Sequence, residues 1–177
     1  EDEALRTKYD GIAYFFRAYF YYQKVMRFGD VPWYDKVLES TDTEFLNKAR
    51  DDRGFVMDKV MEDFDKAIEM IPAVKDQYSA RVTRWAALAM KSRAALFEGT
   101  WRKYHGMPDA DKYLLQAAAA AKTFIEESGY VLYNQGEEPY RDLFCSDKAK
   151  TEEVVLARLY QFETLNISNS VQFNIRN

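Results

Sequence analysis

The residues able to do chemistry in this chain are few. There is one histidine, His105, and one cysteine, Cys145. A single histidine with no second His or Cys nearby is a poor start for a metal site or a catalytic triad. Following Arg102 and Lys103 at a helix end, His105 reads as a cap for terminal carbonyls. Cys145 sits between Phe144 and Ser146-Asp147, with no adjacent Lys, Arg or His to activate it, so it reads as a buried or inert thiol. Glu62, Asp63, Asp65 and Glu69 crowd one helix. Their spacing, with Lys66 among them, fits a solvated face better than an acid/base pair. There is no Gly-rich phosphate loop and no nucleophile elbow. No catalytic residue, metal ligand or cofactor is expected.

What remains is aromatic chemistry. A sugar presents C–H faces that stack on an indole or a phenol, with hydroxyls at its edge for polar partners. Exposed rings beside irregular backbone therefore suit a glycan. Trp33, Tyr34, Trp101, Tyr104 and Tyr140 lie nearest the breaks in the helical pattern. The first four are nominated as ligand-contacting residues, with Trp33 foremost. The competing reading is that these rings pack the scaffold. Arg17, Arg81 and Arg93 read as cations holding neighbouring helices together. Asp30 reads as a turn aspartate that binds backbone N–H groups.

The elements that must position these rings follow from periodicity and caps. A first helix spans about Glu3 to Phe28, with one apolar stripe at Leu5, Tyr9, Ile12, Phe16, Tyr19 and Gln23, and a second at Tyr14, Ala18, Tyr21 and Val25. Gly29 stops it, and Pro32 restrains the residue before it. A helix with rings on more than one face must be gripped by other helices. Val31 to Asn47 reads as a surface loop. Asp51 or Asp52 caps a second helix, about Arg53 to Ile71. Its buried stripe is Val56, Val60, Phe64, Ala67 and Ile71, and its wet side holds Glu62, Asp63, Asp65, Lys66 and Glu69. Thr83 caps a third, roughly Arg84 to Tyr104, whose alanines allow close approach while Trp85, Leu88, Leu96 and Phe97 supply bulk. A fourth begins at Asp109 or Asp111 and runs to about Ser128, with Leu114, Ala117, Ala118, Ala121, Phe124 and Ile125 inward and Gly129 as a left-handed cap. Beyond it, Tyr130–Tyr133 and Val154–Arg158 read as short strands, and Asn134 to Asp142 as turns. The fold class is mainly α: an irregular tetratricopeptide-like helical repeat, an α-solenoid with long loops and a few short strands, pairing first helix with second and third with fourth.

Composition narrows the partners. The 177 residues suit one domain over 1–177, and aromatic residues make up 16%. A net charge of −4 with no basic block disfavours nucleic acid. No apolar run crosses a bilayer, since Arg17 interrupts the richest stretch. Glu1-Asp2-Glu3 lacks a signal-peptide layout and reads as mid-helix. The chain is therefore expected to be a fragment of a longer protein.

Specific phrases carry a further reading. FFRAYFYYQKVMRFGDVPWY (Phe15 to Tyr34) resembles the first conserved helix of the SusD/RagB family. RDDRGFVMDKVMEDFDKAIEMIP (Arg50 to Pro72), RVTRWAALAMKSRAALFEGTWRKYH (Arg81 to His105) and YRDLFCSDKAKTEEVVLARLY (Tyr140 to Tyr160) are similar to its later phrases, in the same order. The resemblance implies a surface-exposed outer-membrane lipoprotein of Bacteroidetes-type bacteria that is not an enzyme. It implies a tetratricopeptide-like scaffold that binds an oligosaccharide or another nutrient, sometimes a peptide. It also implies a SusC-like TonB-dependent transporter as partner, in a nutrient-uptake system, and a lipid anchor at a cysteine outside this sequence; against the family's extent the chain is expected to lack the N-terminal segment and the C-terminal part. Two other readings stay open. A tetratricopeptide-like adaptor would clamp an extended peptide along its inner face. An all-helical glycoside hydrolase or lyase would need two converging carboxylates.

Overall fold

A computed structural model describes residues 2–146 and 148–158. Six helices follow one another: α1 (Glu3–Phe28), α2 (Thr43–Leu46), α3 (Arg53–Met70), α4 (Arg84–Tyr104), α5 (Ala110–Glu127) and α6 (Pro139–Cys145). The chain divides into two compact units, Glu1–Lys75 with Val82–Gly129, and Asp76–Arg81 with Tyr130–Asn177. No described helix is long and apolar enough to cross a membrane.

The first unit holds α1 to α5. The cap residues begin its helices. The Asp2 carboxylate accepts the Ala4 N–H, Asp52 accepts those of Gly54 and Phe55, and the Thr83 hydroxyl accepts that of Ala86. Gly29, at φ 70°, ends α1 in a conformation that a side chain would strain. α1 packs on α3, α4 on α5, and α3 joins the two hairpins, as in an irregular tetratricopeptide-like repeat. The core between them is Phe15, Ala18, Tyr22 and Val25 of α1, Val56, Val60, Phe64 and Ala67 of α3, Ala87, Ala94 and Ala95 of α4, and Tyr113 and Ala117 of α5. Phe15 meets Phe64 edge-on at 6.1 Å, and Tyr22 meets Phe97 likewise at 5.9 Å.

Several details depart from the sequence reading. The α1 stripe of Leu5, Tyr9, Phe16 and Tyr19 is exposed. Among the described helices only α3 and, marginally, α4 pack on α1, with Trp33 laid against Tyr21, so Gly11, Phe15, Ala18, Tyr21, Tyr22 and Val25 are covered and the opposite rings are not. Asp63, placed on the wet side, is buried, because it is the ion-pair partner of Arg17. Leu96, Ala118 and Ile125 face outward. On α5, Tyr113 in the first turn is the large buried side chain instead. Arg93 is exposed. The loop after Pro32 contains the short α2.

In the second unit, the Asp76 carboxylate gathers the N–H groups of Tyr78, Ala80 and Arg81. Ser79 bonds Val154 O and Ala157 N. The expected strands at Tyr130–Tyr133 and Val154–Arg158 do not form; an isolated bridge, Val31 with Asp51 in the first unit, is the sole strand-like pairing among the described residues. The reason is local. The Val131 N–H reaches Glu152 O, but the next ladder donor, the Tyr133 N–H, goes to the Glu153 carboxylate at 2.6 Å. Side-chain competition ends the ladder after one bond. Pro139 opens α6 where turns were expected. Cys145 ends α6 and is exposed, not buried.

Candidate functional site

Within the first unit the chain runs up and down, so the C-terminal ends of α1 and α4 lie with the N-terminal ends of α3 and α5. All four nominated residues fall at this end. The structure does not gather them into one pocket.

Trp33 is buried, 8% exposed, with its ring 4.3 Å from that of Tyr21 and 5.1 Å from the Arg17 guanidinium. Its N–H donates to Asp51 at 2.7 Å, and Lys48 bonds both Asp51 and Trp33 O. It is a strut between α1 and the following loop, with little surface for a ligand. Tyr34 is half-buried. Its N–H donates to the Tyr21 hydroxyl, and its own hydroxyl donates to Phe45 O. It pins the α2 loop. Asp30 accepts the Arg53 N–H at 2.9 Å, so it acts on backbone as expected, at the start of α3. Tyr104 is 85% exposed at the last turn of α4. Tyr140 lies on α6, against Phe144 at 5.0 Å.

Trp101 is different. It lines a cleft of about 370 Å³ with Arg53, Phe55, Asp58, Met107, Asp109, Lys112 and Tyr113. The cleft has a charged floor. Glu98, fully buried, receives Arg53 through Nε and Nη2 at 2.9 and 2.7 Å, and Arg102 through Nε at 2.8 Å. Arg102 also donates to Pro108 O, fixing the α4–α5 turn. Gly54 makes room for this: a Cβ there would stand 2.6 Å from Arg102 Nη2 and 2.9 Å from Asp52 Oδ1. Two arginines on one buried carboxylate satisfy the condition under which buried charge is tolerated.

The wall carries a second cluster. Asp58 accepts from the Tyr113 hydroxyl at 2.7 Å and from Lys112 at 2.6 Å. Burial alone would raise the Asp58 carboxyl, but these two donors outweigh it and hold the group below the usual carboxylate range. Burial, reinforced by donation to Asp58, pushes the Tyr113 phenol well above its ordinary value. Asp58 therefore offers a carboxylate, and Lys112 an ammonium, at the rim. Asp109 adds a carboxylate at the start of α5, from a left-handed backbone (φ 64°) that aspartate tolerates better than most residues.

The Trp101 ring itself is sandwiched. The Arg53 guanidinium lies 3.9 Å from its centroid, and the His105 ring stacks 4.3 Å away at 19°. Two groups this near cannot share one face without overlap. Arg53 is tied to Glu98, one turn earlier on α4, and His105 follows one turn later, so they cover opposite faces.

A second cleft, about 380 Å³, lies along α1 and α3, lined by Asp10, Ala13, Tyr14, Arg17 and Met70. Arg17 is committed to Asp63, and its guanidinium also lies 5.2 Å from the Tyr14 ring, so this cleft offers less to a ligand. No group of three His, Cys, Asp or Glu suited to a metal occurs among the described residues.

The sequence reading missed Arg53, Asp58, Glu98 and Tyr113. Glu98 and Arg102 carry the four-residue spacing of a helical ion pair, a signal available in the sequence. The partner across on α3 was not.

Comparison with known proteins agrees with this architecture. Residues 1–96 match the SusD-like family described as starch-binding and associating with the outer membrane. No curated protein matches. Among solved structures, a SusD-like protein from Bacteroides fragilis NCTC 9343 is similar with a TM-score of 0.71 at 24% identity, over 91% of this chain and 29% of that one. A structure solved with a xylogluco-oligosaccharide has a TM-score of 0.71 at 25% identity, over 91% and 31%. A SusD superfamily protein from Bacteroides vulgatus ATCC 8482 has a TM-score of 0.68 at 20% identity, over 89% and 30%. The chain thus spans about 30% of the length of these relatives.

Proposed function

The chain belongs to the SusD-like family, and from that premise we propose that it is a glycan-binding, non-catalytic part of an outer-membrane nutrient-uptake system. The observation that carries the reading within the chain is the Trp101 cleft. An aromatic ring there stands among polar groups whose geometry is fixed by other contacts: Asp58 by Tyr113 and Lys112, and Arg53 by Glu98. Pre-organised donors and acceptors around a ring suit a hydroxyl-rich ligand, because little is lost in ordering them on binding.

The ligand class is an oligosaccharide. The family description names starch, and one similar structure was solved with a xylogluco-oligosaccharide. Trp101 would stack on a pyranose face. Asp58 and Asp109 would accept from sugar hydroxyls, and Lys112 would donate to one. Tyr104, one turn beyond Trp101 and exposed, would extend the platform. Binding without cleavage fits the state of the carboxylates. Asp58 already accepts from Tyr113 and Lys112, an arrangement that favours an acceptor over a proton donor, and Asp52 is engaged in capping α3. In the uptake system the chain would belong to a surface lipoprotein, anchored by lipid through a cysteine outside this sequence. It would lie over a SusC-like TonB-dependent transporter and hold the sugar above the barrel.

The test is titration calorimetry of the chain with malto- and xyloglucan-derived oligosaccharides, with chromatography of the sugar afterwards. Saturable binding with unchanged sugar supports the reading. Shortened products, or binding of extended peptides in place of sugars, would oppose it.

A further inference from the structure

A sugar cannot stack on an indole whose two faces are both occupied, and Trp101 is in that condition. Arg53 and His105 are unequal occupants. Arg53 is held by Glu98 through two nitrogens, and its side chain is only 11% exposed. It sits at the first residue of α3, whose N–H is fixed by Asp30. His105 lies one residue beyond α4, is exposed, and among the described residues has one side-chain hydrogen-bonding contact, Nδ1 with Trp101 O at 2.7 Å. The next residue, Gly106, has φ 63° with nothing near the position of a Cβ. The backbone of this turn is tied by the Gly106 N–H to Lys103 O and the Met107 N–H to Arg102 O, so the imidazole moves by rotation about its own side-chain bonds.

Resting on the reading of this cleft as the glycan site, we infer that His105 is a removable cover on Trp101: the imidazole occupies the face that a pyranose ring takes, and ligand binding swings it aside. The Arg53 face stays packed and sets the plane of the indole, while the His105 face exchanges one stacked ring for another. The cover keeps the indole from standing bare in water between ligands. It also makes binding selective for sugars able to replace an aromatic stack, those with a continuous axial C–H face.

The experiment compares the native chain, His105→Ala, His105→Phe, Trp101→Ala and the double His105→Ala/Trp101→Ala variant by calorimetry against a xyloglucan oligosaccharide and a malto-oligosaccharide. Circular dichroism verifies helix content, and Trp101→Phe serves as a ring-retaining control should Trp101→Ala fold poorly. His105→Ala should bind roughly two- to tenfold tighter, the size of one lost competing aromatic stack. His105→Phe, which keeps a ring, should not gain. In the double variant the gain should vanish, since the cover has nothing left to cover. Unchanged or weaker binding by His105→Ala, with Trp101→Ala inactive, would overturn the cover and leave the site standing. Native-like binding by Trp101→Ala would overturn the site and the cover together, as would absence of binding by both native and His105→Ala chains.

Discussion

Arg17 on α1 and Asp63 on α3 meet through two parallel hydrogen bonds, Nε to Oδ2 at 2.6 Å and Nη2 to Oδ1 at 2.8 Å, with the Asp63 side chain 3% exposed. The same guanidinium covers Trp33 and Tyr14. One ion pair thus joins the helical hairpin to the loop that leaves it.

Removing one partner of this pair should be costly. Asp63→Ala leaves the Arg17 charge without its partner and is expected to lower stability by about 3 kcal/mol. The double replacement Arg17→Met with Asp63→Leu should regain most of that loss. Urea denaturation of the three variants checks both expectations; equal losses in the single and double variants would contradict them.

Close packing of α4 on α5 depends on Gly99. A Cβ there would lie 2.8 Å from Leu114 Cγ and 3.0 Å from Leu114 N, and backbone cannot step aside as a side-chain tip can. Gly99→Ala should destabilise by about 1–3 kcal/mol from overpacking, despite a helix-propensity gain of about 1 kcal/mol. A thermal melt with an unchanged or higher midpoint would show that the helices separate freely.

Acid sensitivity follows from three carboxyls, Asp51, Asp58 and Asp76, all held below their ordinary value. For Asp51 and Asp58, burial pushes upward first and hydrogen bonds overcome it. For Asp76 the Ala80 N–H is the leading cause. A lowered folded-state value means that the native chain holds the charged form more firmly than the unfolded chain does. The stabilisation is complete above the ordinary carboxylate value of about 3.9 and is lost as pH falls through the lower folded values. Denaturation midpoints should hold steady from pH 7 to about 5 and decline below about 4, with a smaller decline in Asp58→Asn. A midpoint that rises on acidification would contradict this assignment.

Trp33 and Trp101 should separate scaffold from site. Trp33→Ala removes a buried ring and should cost about 3–5 kcal/mol. Trp33→Phe, folded, should bind glycan as the native chain does. Weakened binding by folded Trp33→Phe would place a ligand at the α1 exit instead.

Much of the scaffold was legible because its punctuation is local. Asp52, Thr83 and Gly29 mark helix ends through bonds within a few residues, and the α3 stripe from Val56 to Ile71 has a single apolar face. α1 was harder. Its rings lie all around the helix, so periodicity could not say which sector α3 would cover, and the exposed Tyr9–Phe16 side was read as buried. The same limit governs the cleft. Trp101 could be nominated from its place beside a break, but Arg53 with Glu98 and Tyr113 with Asp58 are pairings between helices, created by packing, 45 and 55 residues apart. Trp33, chosen for the same reason as Trp101, is buried because Asp51 and Lys48 fold the loop back over it.

Capture of an oligosaccharide at Trp101 without cleavage is the function proposed for this cleft. Calorimetric titration of native and Trp101→Ala chains with malto- and xyloglucan-derived oligosaccharides, followed by chromatography of the recovered sugar, tests it most directly. Saturable binding by the native chain, its loss in the folded variant, and sugar recovered intact are expected. Equal binding by both chains, or newly released shorter sugars, would contradict it.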